Sequence, residues 1–240
     1  MSPPAPRTII LFGSGPGIGL HLASTFLTRG PFTHIILLAR NTSRMQTTDV
    51  SFLRSHLPAS SKDVKIDVVG VDLSDLEKLP GVLGEIDELT KYGKEGEETV
   101  EVVVFNAARI RAVGDVLDVG VEEVEEDLKT TTLSLYLISQ HFLPRLASLP
   151  QPLKPALLVT NSHLPFSPLP FLLSLSLSKA AQRNLVHNLH LAFRDKGVHV
   201  GLVSVHGVVG EDKAKGEISA GEVAEKAWGF WSEGGKGLDV

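Results

Sequence analysis

A glycine-rich run near the start of the chain constrains its fold more than any other feature. A short apolar run is followed directly by Gly13-Ser14-Gly15-Pro16-Gly17-Ile18-Gly19, which opens a stretch with helical spacing. Glycines are required where a Cβ would block a tight turn or a phosphate, and backbone amides at a helix N-terminus can face a pyrophosphate. A glycine-rich run alone is often only a surface loop, but its place between strand and helix predicts a dinucleotide-binding site.

Short apolar runs alternate with stretches of helical spacing along the chain. The apolar runs are nearly continuous, as expected of strands covered on both faces. They are Thr8–Phe12, His34–Ala39, Val64–Val71, Val100–Phe105, Ala156–Thr160 and His199–Val205. The helical stretches are Ile18–Thr28, a short one over Met45–Leu57, Leu76–Leu89, Val121–Leu146, Ser174–Asp195 and Ile218–Trp231. This alternation predicts an α/β fold with a doubly wound parallel sheet.

The length and composition indicate one domain and a small-molecule partner. In a chain of 240 residues, 42% of them hydrophobic, we expect a flexible tail over residues 1–7 and a single domain over residues 8–240. A net charge of −5 gives no electrostatic footprint for nucleic acid or an anionic membrane. No apolar run is long enough to span a membrane, and the first residues lack the apolar core of an export signal. We therefore expect a soluble, cytoplasmic protein.

Cysteine chemistry is excluded, because the chain contains no cysteine. Disulfides, thiolate zinc sites and cysteine nucleophiles cannot occur. Nine histidines leave other metal sites formally open, and His187 and His190 lie three residues apart on a predicted helix. Because no third ligand is evident, we predict a surface or subunit-contact face there and no metal site.

The end of the second predicted strand bears on the choice of cofactor. An enzyme that prefers NAD usually has an acid there, which holds the ribose hydroxyls. This chain has Arg40 at that point and Arg44 four residues later, and such cations can grip a 2′-phosphate. The alternative is an arginine that is merely solvated at a strand end. We therefore predict NADP as the cofactor, with NAD less favoured.

Five motifs, in this order and spacing, resemble those of the short-chain dehydrogenase/reductase family. They are the glycine run, Asp72-Leu73, Asn106-Ala107-Ala108, Ser162, and Ser178-Lys179-Ala180-Ala181. The resemblance extends from about Thr8 to Trp231. It implies a Rossmann fold and an oxidoreductase that binds a nicotinamide dinucleotide.

The resemblance also implies roles for individual residues. Asp72 and Leu73 would border the adenine, Asn106 to Ala108 would support the sheet beside the cofactor, and Lys179 would hold the nicotinamide ribose. The residues assigned to the cofactor are Gly13, Ser14, Gly15, Gly17, Ile18, Gly19, Arg40, Asp72, Leu73, Asn106, Ala107, Ala108, Lys179, Gly207 and Val208.

The chain departs from the family's pattern at the proton donor. The family has a tyrosine four residues before the lysine, which protonates the carbonyl oxygen as the hydride arrives, and here that residue is Leu175. The spacing of the enoyl reductase branch, with tyrosine seven residues before the lysine, gives Leu172. The family's asparagine, which sustains a proton-relay water, aligns with Thr131. The predicted catalytic residues are therefore Ser162, Lys179 and Thr131.

Hydride transfer remains chemically feasible without the tyrosine. General acid catalysis typically contributes about 10²- to 10⁴-fold, and positioning and electrostatic stabilisation contribute at least as much. An iminium substrate needs no proton. For a carbonyl, Lys179 or His163 could deliver one, although we assign His163 a structural or loop role because neighbouring strand residues point to opposite faces.

Two functional hypotheses follow. The first is an atypical NADP(H)-dependent oxidoreductase acting on a small carbonyl or imine compound. The second is a cofactor-binding protein without turnover that acts as a regulator, a partner subunit or a scaffold for a non-redox transformation.

The periphery of the predicted domain also differs from the family. His206-Gly207 replaces the Pro-Gly after the sixth strand, and only residues 211–217 separate that strand from the last helix. We therefore expect a short substrate lid and an open pocket. Residues 237–240 leave little or nothing for a seventh strand. The family commonly pairs the helices that here begin near Val121 and Ser174, which implies a homodimer or homotetramer.

Overall fold

Six parallel strands form one sheet in the computed structural model, which describes residues 5–58, 63–234 and 237–240. Residues 1–4 of the expected tail lie outside the described residues. The strands are β1 (Arg7–Phe12), β2 (His34–Ala39), β3 (Lys65–Gly70), β4 (Thr99–Phe105), β5 (Ala156–Ser162) and β6 (His199–Val205). Their order is β3-β2-β1-β4-β5-β6, which confirms the predicted α/β fold with a doubly wound parallel sheet in one domain.

Helices cover both faces of the sheet. They are α1 (Ile18–Arg29), α2 (Thr42–Arg44), α3 (Val50–His56), α4 (Leu79–Leu89), α5 (Val121–Leu128), α6 (Ser134–Ala147), α7 (Leu173–Phe193) and α8 (Ala220–Ser232). Alternate residues of β1 belong to different cores: Ile9 and Leu11 pack with α1 and α8, whereas Ile10 and Phe12 pack with α4, α6 and α7. Burial on both faces explains why the strands are continuously apolar.

Two predicted helices begin later than the sequence pattern indicated. Helix α4 begins at Leu79 instead of residue 76, and Pro80 lies in its first turn, where the missing N–H of proline costs no hydrogen bond. Helix α8 begins at Ala220 instead of residue 218, because Ser219 caps it. Its side chain accepts from the backbone nitrogen of Glu222, whose own side chain accepts from the backbone of Ser219.

Two other predicted helices contain π-helical turns. The first turn, Met45–Asp49, joins α2 to α3 where one short helix was predicted. The second, Lys129–Leu133, joins α5 to α6 within the single long helix that was predicted. Both turns lie close to the site described below, as is common for π-helical insertions.

The last residues of the chain pair with the edge of the sheet at β6. The backbone nitrogen of Leu202 donates to the carbonyl oxygen of Leu238, at 2.6 Å, and Asp239 forms a parallel bridge with Leu202. The carboxylate of Asp239 also forms an ion pair with Arg183. A vestige of a seventh strand is therefore present, within the expectation of little or nothing.

No helix in the described part of the chain is long and apolar enough to cross a membrane. Of the two histidines on α7, His187 is exposed, as expected of a surface face, and His190 is not. His190 is buried, and its Nδ1 lies 2.9 Å from the carbonyl oxygen of Val200, so it is a core histidine anchored to β6.

Candidate active site

A cavity of about 910 Å³ lies along the carboxyl ends of the strands, where the strand order reverses. All the residues predicted to hold the cofactor line this cavity: Gly13, Ser14, Gly15, Gly17, Ile18, Gly19, Arg40, Asp72, Leu73, Asn106, Ala107, Ala108, Lys179, Gly207 and Val208. Residues far apart in the chain are thus brought to the place where open parallel sheets bind ligands.

The glycines of the loop at residues 13–19 fall into two groups, which differ in whether the surrounding protein leaves room for a side chain. A Cβ on Gly13 would lie 2.6 Å from the backbone nitrogen of Ala107, and the φ of Gly13 is +90°, so the fold itself requires glycine there. A Cβ on Gly15 or Gly17 would meet no atom within 4 Å. The space around these two positions does not require glycine in the described part of the protein, whereas a pyrophosphate at the N-terminus of α1 would.

A buried carboxylate holds the glycine loop in place. Asp49, fully buried in the first π-helical turn, accepts a 2.8 Å hydrogen bond from Oγ of Ser14 and a 3.1 Å bond from Nη1 of Arg44. Nη2 of Arg44 donates to the carbonyl oxygen of Ser14 at 2.8 Å. Arg44 is therefore engaged by the loop, and it is not among the residues that line the cavity. No sequence signal pointed to Asp49.

Arg40 is the cation that remains at this end of the cavity. Its side chain is exposed at the cavity wall, and it forms no hydrogen bond or ion pair with any of the residues that the structure describes. At the neighbouring wall, Asp72 accepts hydrogen bonds from the backbone and side chain of Ser74, and Leu73 is buried. A negatively charged group beside Arg40 could thus bind a guanidinium that forms no hydrogen bond or ion pair with the described residues.

Asn106 connects the glycine loop to the catalytic end of the cavity. Its Nδ2 donates to the carbonyl oxygen of Gly13 at 3.0 Å, and its Oδ1 accepts from Oγ1 of Thr160 at 3.0 Å. These two bonds join the ends of β1, β4 and β5, so the loop and the catalytic end keep a defined separation.

Lys179 lies on α7 at the far end of the cavity and is only 5% exposed. Its Nζ donates to the carbonyl oxygen of Thr160 at 2.8 Å and to Oε1 of Gln182 at 3.0 Å. Burial lowers the pKa of Lys179 to about 7, because a charged ammonium is poorly solvated there and no carboxylate offsets the loss. At neutral pH this amine can therefore both give and take a proton.

Gln182 links Lys179 to the second π-helical turn. Its Nε2 donates to the carbonyl oxygen of Thr131 at 3.0 Å, and its Oε1 also accepts from Nδ2 of Asn161 at 3.1 Å. The hydroxyl of Thr131 is buried, has no hydrogen-bond partner among the described residues and does not line the cavity, whereas its neighbour Thr130 does line it. Thr131 contributes its backbone to this network, and sequence reasoning missed both Gln182 and Thr130.

Leu175 lies one helical turn before Lys179, is 7% exposed and lines the same cavity. Leu172 lines it as well. The chain has two tyrosines, and neither is at the cavity: Tyr92 stacks under the guanidinium of Arg145, and Tyr136 is exposed on α6. The aliphatic side chains of Leu172 and Leu175 therefore form the cavity wall at the two positions where the family resemblance implied a tyrosine.

Ser162 ends β5, and its Oγ accepts a 3.3 Å hydrogen bond from the backbone nitrogen of Leu164, which leaves the hydroxyl proton free to donate. His163 follows the last strand residue and also lines the cavity, and its Nδ1 is buried without a partner among the described residues. His163 therefore lies in the loop that follows β5, which agrees with our assignment of a structural or loop role. The strand ends at Ser162, so the alternation of faces no longer separates the two side chains.

Apolar side chains line the outer part of the cavity. They are Ile110, Leu164, Leu169, Phe171, Val208 and Val209. The segment between β6 and α8 folds back on itself, with a bridge between Val209 and Ile218, and supplies Gly207, Val208 and Val209 to the wall. This short segment is the lid expected from the sequence. The cavity thus combines a polar end, at Ser162 and Lys179, with an apolar compartment of the kind that holds organic ligands.

The sequence matches the family model described as short chain dehydrogenase over residues 7–216. None of the curated proteins matches the sequence.

Solved structures share the fold at low sequence identity. The bulky-bulky ketone specific alcohol dehydrogenase from Comamonas testosteroni is 21% identical, with a TM-score of 0.78 over 98% of this chain and 85% of that chain. A short-chain dehydrogenase from Sphingobium yanoikuyae in complex with NADPH is 19% identical, with a TM-score of 0.77 over 98% and 87%. An NADPH-bound short chain oxidoreductase from Pseudomonas aeruginosa PAO1, described as containing an atypical catalytic center, is 20% identical, with a TM-score of 0.75 over 95% and 91%.

Proposed function

The chain belongs to the short-chain dehydrogenase family, and from that premise we propose that it is an NADP(H)-dependent oxidoreductase acting on a small carbonyl or imine compound without a tyrosine as its acid. The observation that carries the proposal is the single cavity that joins the glycine loop to Ser162 and Lys179. The bound dinucleotide would supply or accept the hydride. The protein's own residues must then bind, orient and protonate the substrate.

Arg40 supports NADP over NAD. An uncommitted guanidinium at the end of β2 suits a 2′-phosphate, and it would repel no part of the cofactor. The two NADPH-bound structures of similar fold agree with this choice. The free space at Gly15 and Gly17 supports a pyrophosphate at the N-terminus of α1.

Lys179 is the proton donor that we favour for a carbonyl substrate. Two of its N–H groups are held by the Thr160 carbonyl and the Gln182 amide, neither of which can take a proton at neutral pH. The third position of Nζ is left for the cavity. In ketone reduction, hydride adds to the carbonyl carbon, the C=O π pair moves to oxygen, and the ammonium proton passes to that oxygen, while Ser162 donates a hydrogen bond to it.

The substrate proposal follows from the aliphatic wall. Leu175 and the apolar outer compartment favour an organic substrate with a sizeable apolar part. A cyclic iminium also suits this site, because hydride neutralises its cation and no oxygen has to be protonated. The bulky-ketone specificity of the Comamonas enzyme and the atypical centre of the Pseudomonas protein are compatible precedents on the same fold.

Single-turnover oxidation of NADPH against hydrophobic ketones and cyclic imines tests the proposal. We expect oxidation with at least one class, and ketone reduction should slow as pH rises through 7, because the acid form of Lys179 is lost. Leu175→Tyr should raise ketone reduction about tenfold or more by restoring a phenolic acid. His163→Gln is the matched control: if its pH profile loses the limb near 7, His163 and not Lys179 is the donor. Tight NADPH binding without oxidation by any substrate would favour the role without turnover.

We also propose a homodimer or homotetramer formed through α5, α6 and α7. Exposed apolar side chains on these helices support an interface: Val121, Tyr136, Leu177 and Leu191. Light scattering after size exclusion measures the assembly, and a monomer at micromolar concentration would refute it.

A further inference from the structure

We propose that Gln182 is a positioning residue for Lys179: its side-chain amide spans from the lysine amine to the Thr131 carbonyl and keeps the free position of Nζ directed at the cavity. This inference rests on the proposed function for its catalytic meaning. Its structural content, the hold of one side chain on another, can be tested without turnover.

The orientation of the Gln182 amide follows from its neighbours. An ammonium or amine N–H and the Nδ2 of Asn161 both donate, so they require the oxygen end of the amide. The carbonyl of Thr131 only accepts, so it requires the nitrogen end. A flipped amide would oppose donor to donor and acceptor to acceptor. Gln182 is fully buried, so no water can relieve such a mismatch at low cost.

The two acceptors determine which position of Nζ is free. Nζ is tetrahedral, with Cε and three further positions. Two of these are N–H groups that donate to the carbonyl oxygen of Thr160, at 2.8 Å, and to Oε1 of Gln182, at 3.0 Å. The third position carries the proton of the ammonium or the lone pair of the amine. Loss of Gln182 would free a second position and let the amine rotate about its Cε–Nζ bond.

The side-chain amide of Gln182 connects Lys179 to the second π-helical turn directly, because Nζ of Lys179 donates to its Oε1 and its Nε2 donates to the carbonyl oxygen of Thr131. An amide cannot ionise at neutral pH, so it passes no proton onward. The proton of Lys179 must therefore exchange through the cavity and not through the second π-helical turn.

No charged group contacts Lys179. The ionisable side chains on the surrounding elements include His163 after β5, Arg109 after β4, Asp127 and Glu123 on α5, and Arg183 on α7; α5 also carries Glu122, Glu125 and Glu126, α7 also carries His187 and His190, and Lys129 begins the second π-helical turn. Arg109 pairs with Asp127 at 2.7 Å and Arg183 pairs with Asp239, and none of these groups forms a hydrogen bond or ion pair with Lys179 within the described residues. A carboxylate placed at position 182 would therefore be the first charge in contact with the amine.

Titration of the lysine side chains by ¹³C NMR of Cε tests the inference, with Lys179→Met to assign the signal. Gln182→Glu should raise the pKa of Lys179 by about one unit or more, because an adjacent opposite charge favours the ammonium. Gln182→Met should lower it further, because the charged form loses an acceptor. Gln140→Glu on the exposed face of α6 adds the same charge elsewhere and should leave it unchanged.

The inference is supported if the pKa of Lys179 shifts in opposite directions in the two Gln182 variants and does not shift in Gln140→Glu. Unchanged titration in folded Gln182→Glu and Gln182→Met would overturn it, whether or not the protein turns over. If the glutamate variant does not fold, the methionine variant carries the test through its downward shift. Where ketone reduction is observed, the pH at which its rate falls should shift in each variant together with the pKa of Lys179 measured by NMR. Shifts without NADPH oxidation by any substrate would refute the proposed function alone.

Discussion

The buried amine of Lys179 should make the stability of the protein depend on pH in a way that one substitution removes. Lys179 is 5% exposed and has no ionic partner within the part of the chain that the structure describes, and burial lowers its pKa from the ordinary value of 10.5 to about 7. Between these two values the unfolded chain binds a proton that the folded chain does not. Stability must therefore rise with pH in that interval, by up to about 1.4 kcal/mol per unit.

The magnitude can be worked out for an accessible range. Below pH 7 both states are protonated and the full penalty of the buried charge is present and constant. Above pH 7 the folded state loses the proton, and the penalty shrinks until it vanishes near pH 10.5. Between pH 7 and pH 9 the recovery amounts to about 2 kcal/mol. Lys179→Met abolishes this dependence. It also leaves the Thr160 carbonyl without its donor, at a cost of about 1–3 kcal/mol that is independent of pH.

Urea unfolding at several pH values, followed by the fluorescence of Trp228 and Trp231, measures the effect. The free energy of unfolding of Lys179→Met relative to the wild type should fall by about 2 kcal/mol between pH 7 and pH 9. Lys226→Met, at an exposed lysine of α8, is the matched control and should follow the wild type at every pH. Parallel curves for Lys179→Met and the wild type would show that Lys179 titrates normally and refute its role as an acid near neutrality.

Two predictions concern the cofactor end of the cavity. Arg40→Asp should weaken NADPH binding about 10- to 100-fold while leaving NADH binding equal or tighter, and calorimetry that finds an unchanged ratio would exclude Arg40 as the phosphate ligand. Gly15→Ala should preserve the melting temperature yet weaken binding of both cofactors, because its Cβ meets only open space in the protein. Gly13→Ala should lower the melting temperature, because its Cβ would lie 2.6 Å from Ala107, so equal melting temperatures for the two variants would contradict this division.

The parallel sheet covered on both faces and the glycine loop after its first strand could be predicted because they depend on short-range patterns. Each strand is buried on both faces and is therefore continuously apolar, and the glycine run marks the first turn from strand to helix. The π-helical turns could not be predicted, because one inserted residue shifts the helical hydrophobic pattern too little to be seen in a single sequence. The starts of α4 and α8 were predicted too early, because Pro80 and the cap at Ser219 determine where these helices begin and the apolar pattern alone does not.

The polar residues missed from the sequence are those whose partners lie far along the chain. A polar residue in a helix, such as Gln182, suggests a solvated position. In the structure, however, its Nε2 donates to the carbonyl oxygen of Thr131, 51 residues away in the chain. Asp49 likewise bonds Ser14 across 35 residues. The expected separation of Ser162 and His163 does not apply for a different reason, because it assumed that β5 continued past Ser162. Burial of a polar group is decided by the tertiary partner that satisfies it, which local spacing does not encode.

The two π-helical turns explain how the chain holds both ends of the cavity. The wider turn shifts the register of the helical hydrogen bonds: Val50 donates to Met45, and Ser134 donates to Lys129, each five residues back. A carbonyl inside such a turn becomes available to a side chain, as the carbonyl of Thr131 is to Gln182. The first turn buries the carboxylate that fixes the glycine loop, and the second anchors the amide that holds the lysine. Regularising either turn would therefore disturb one end of the cavity while leaving the sheet unchanged.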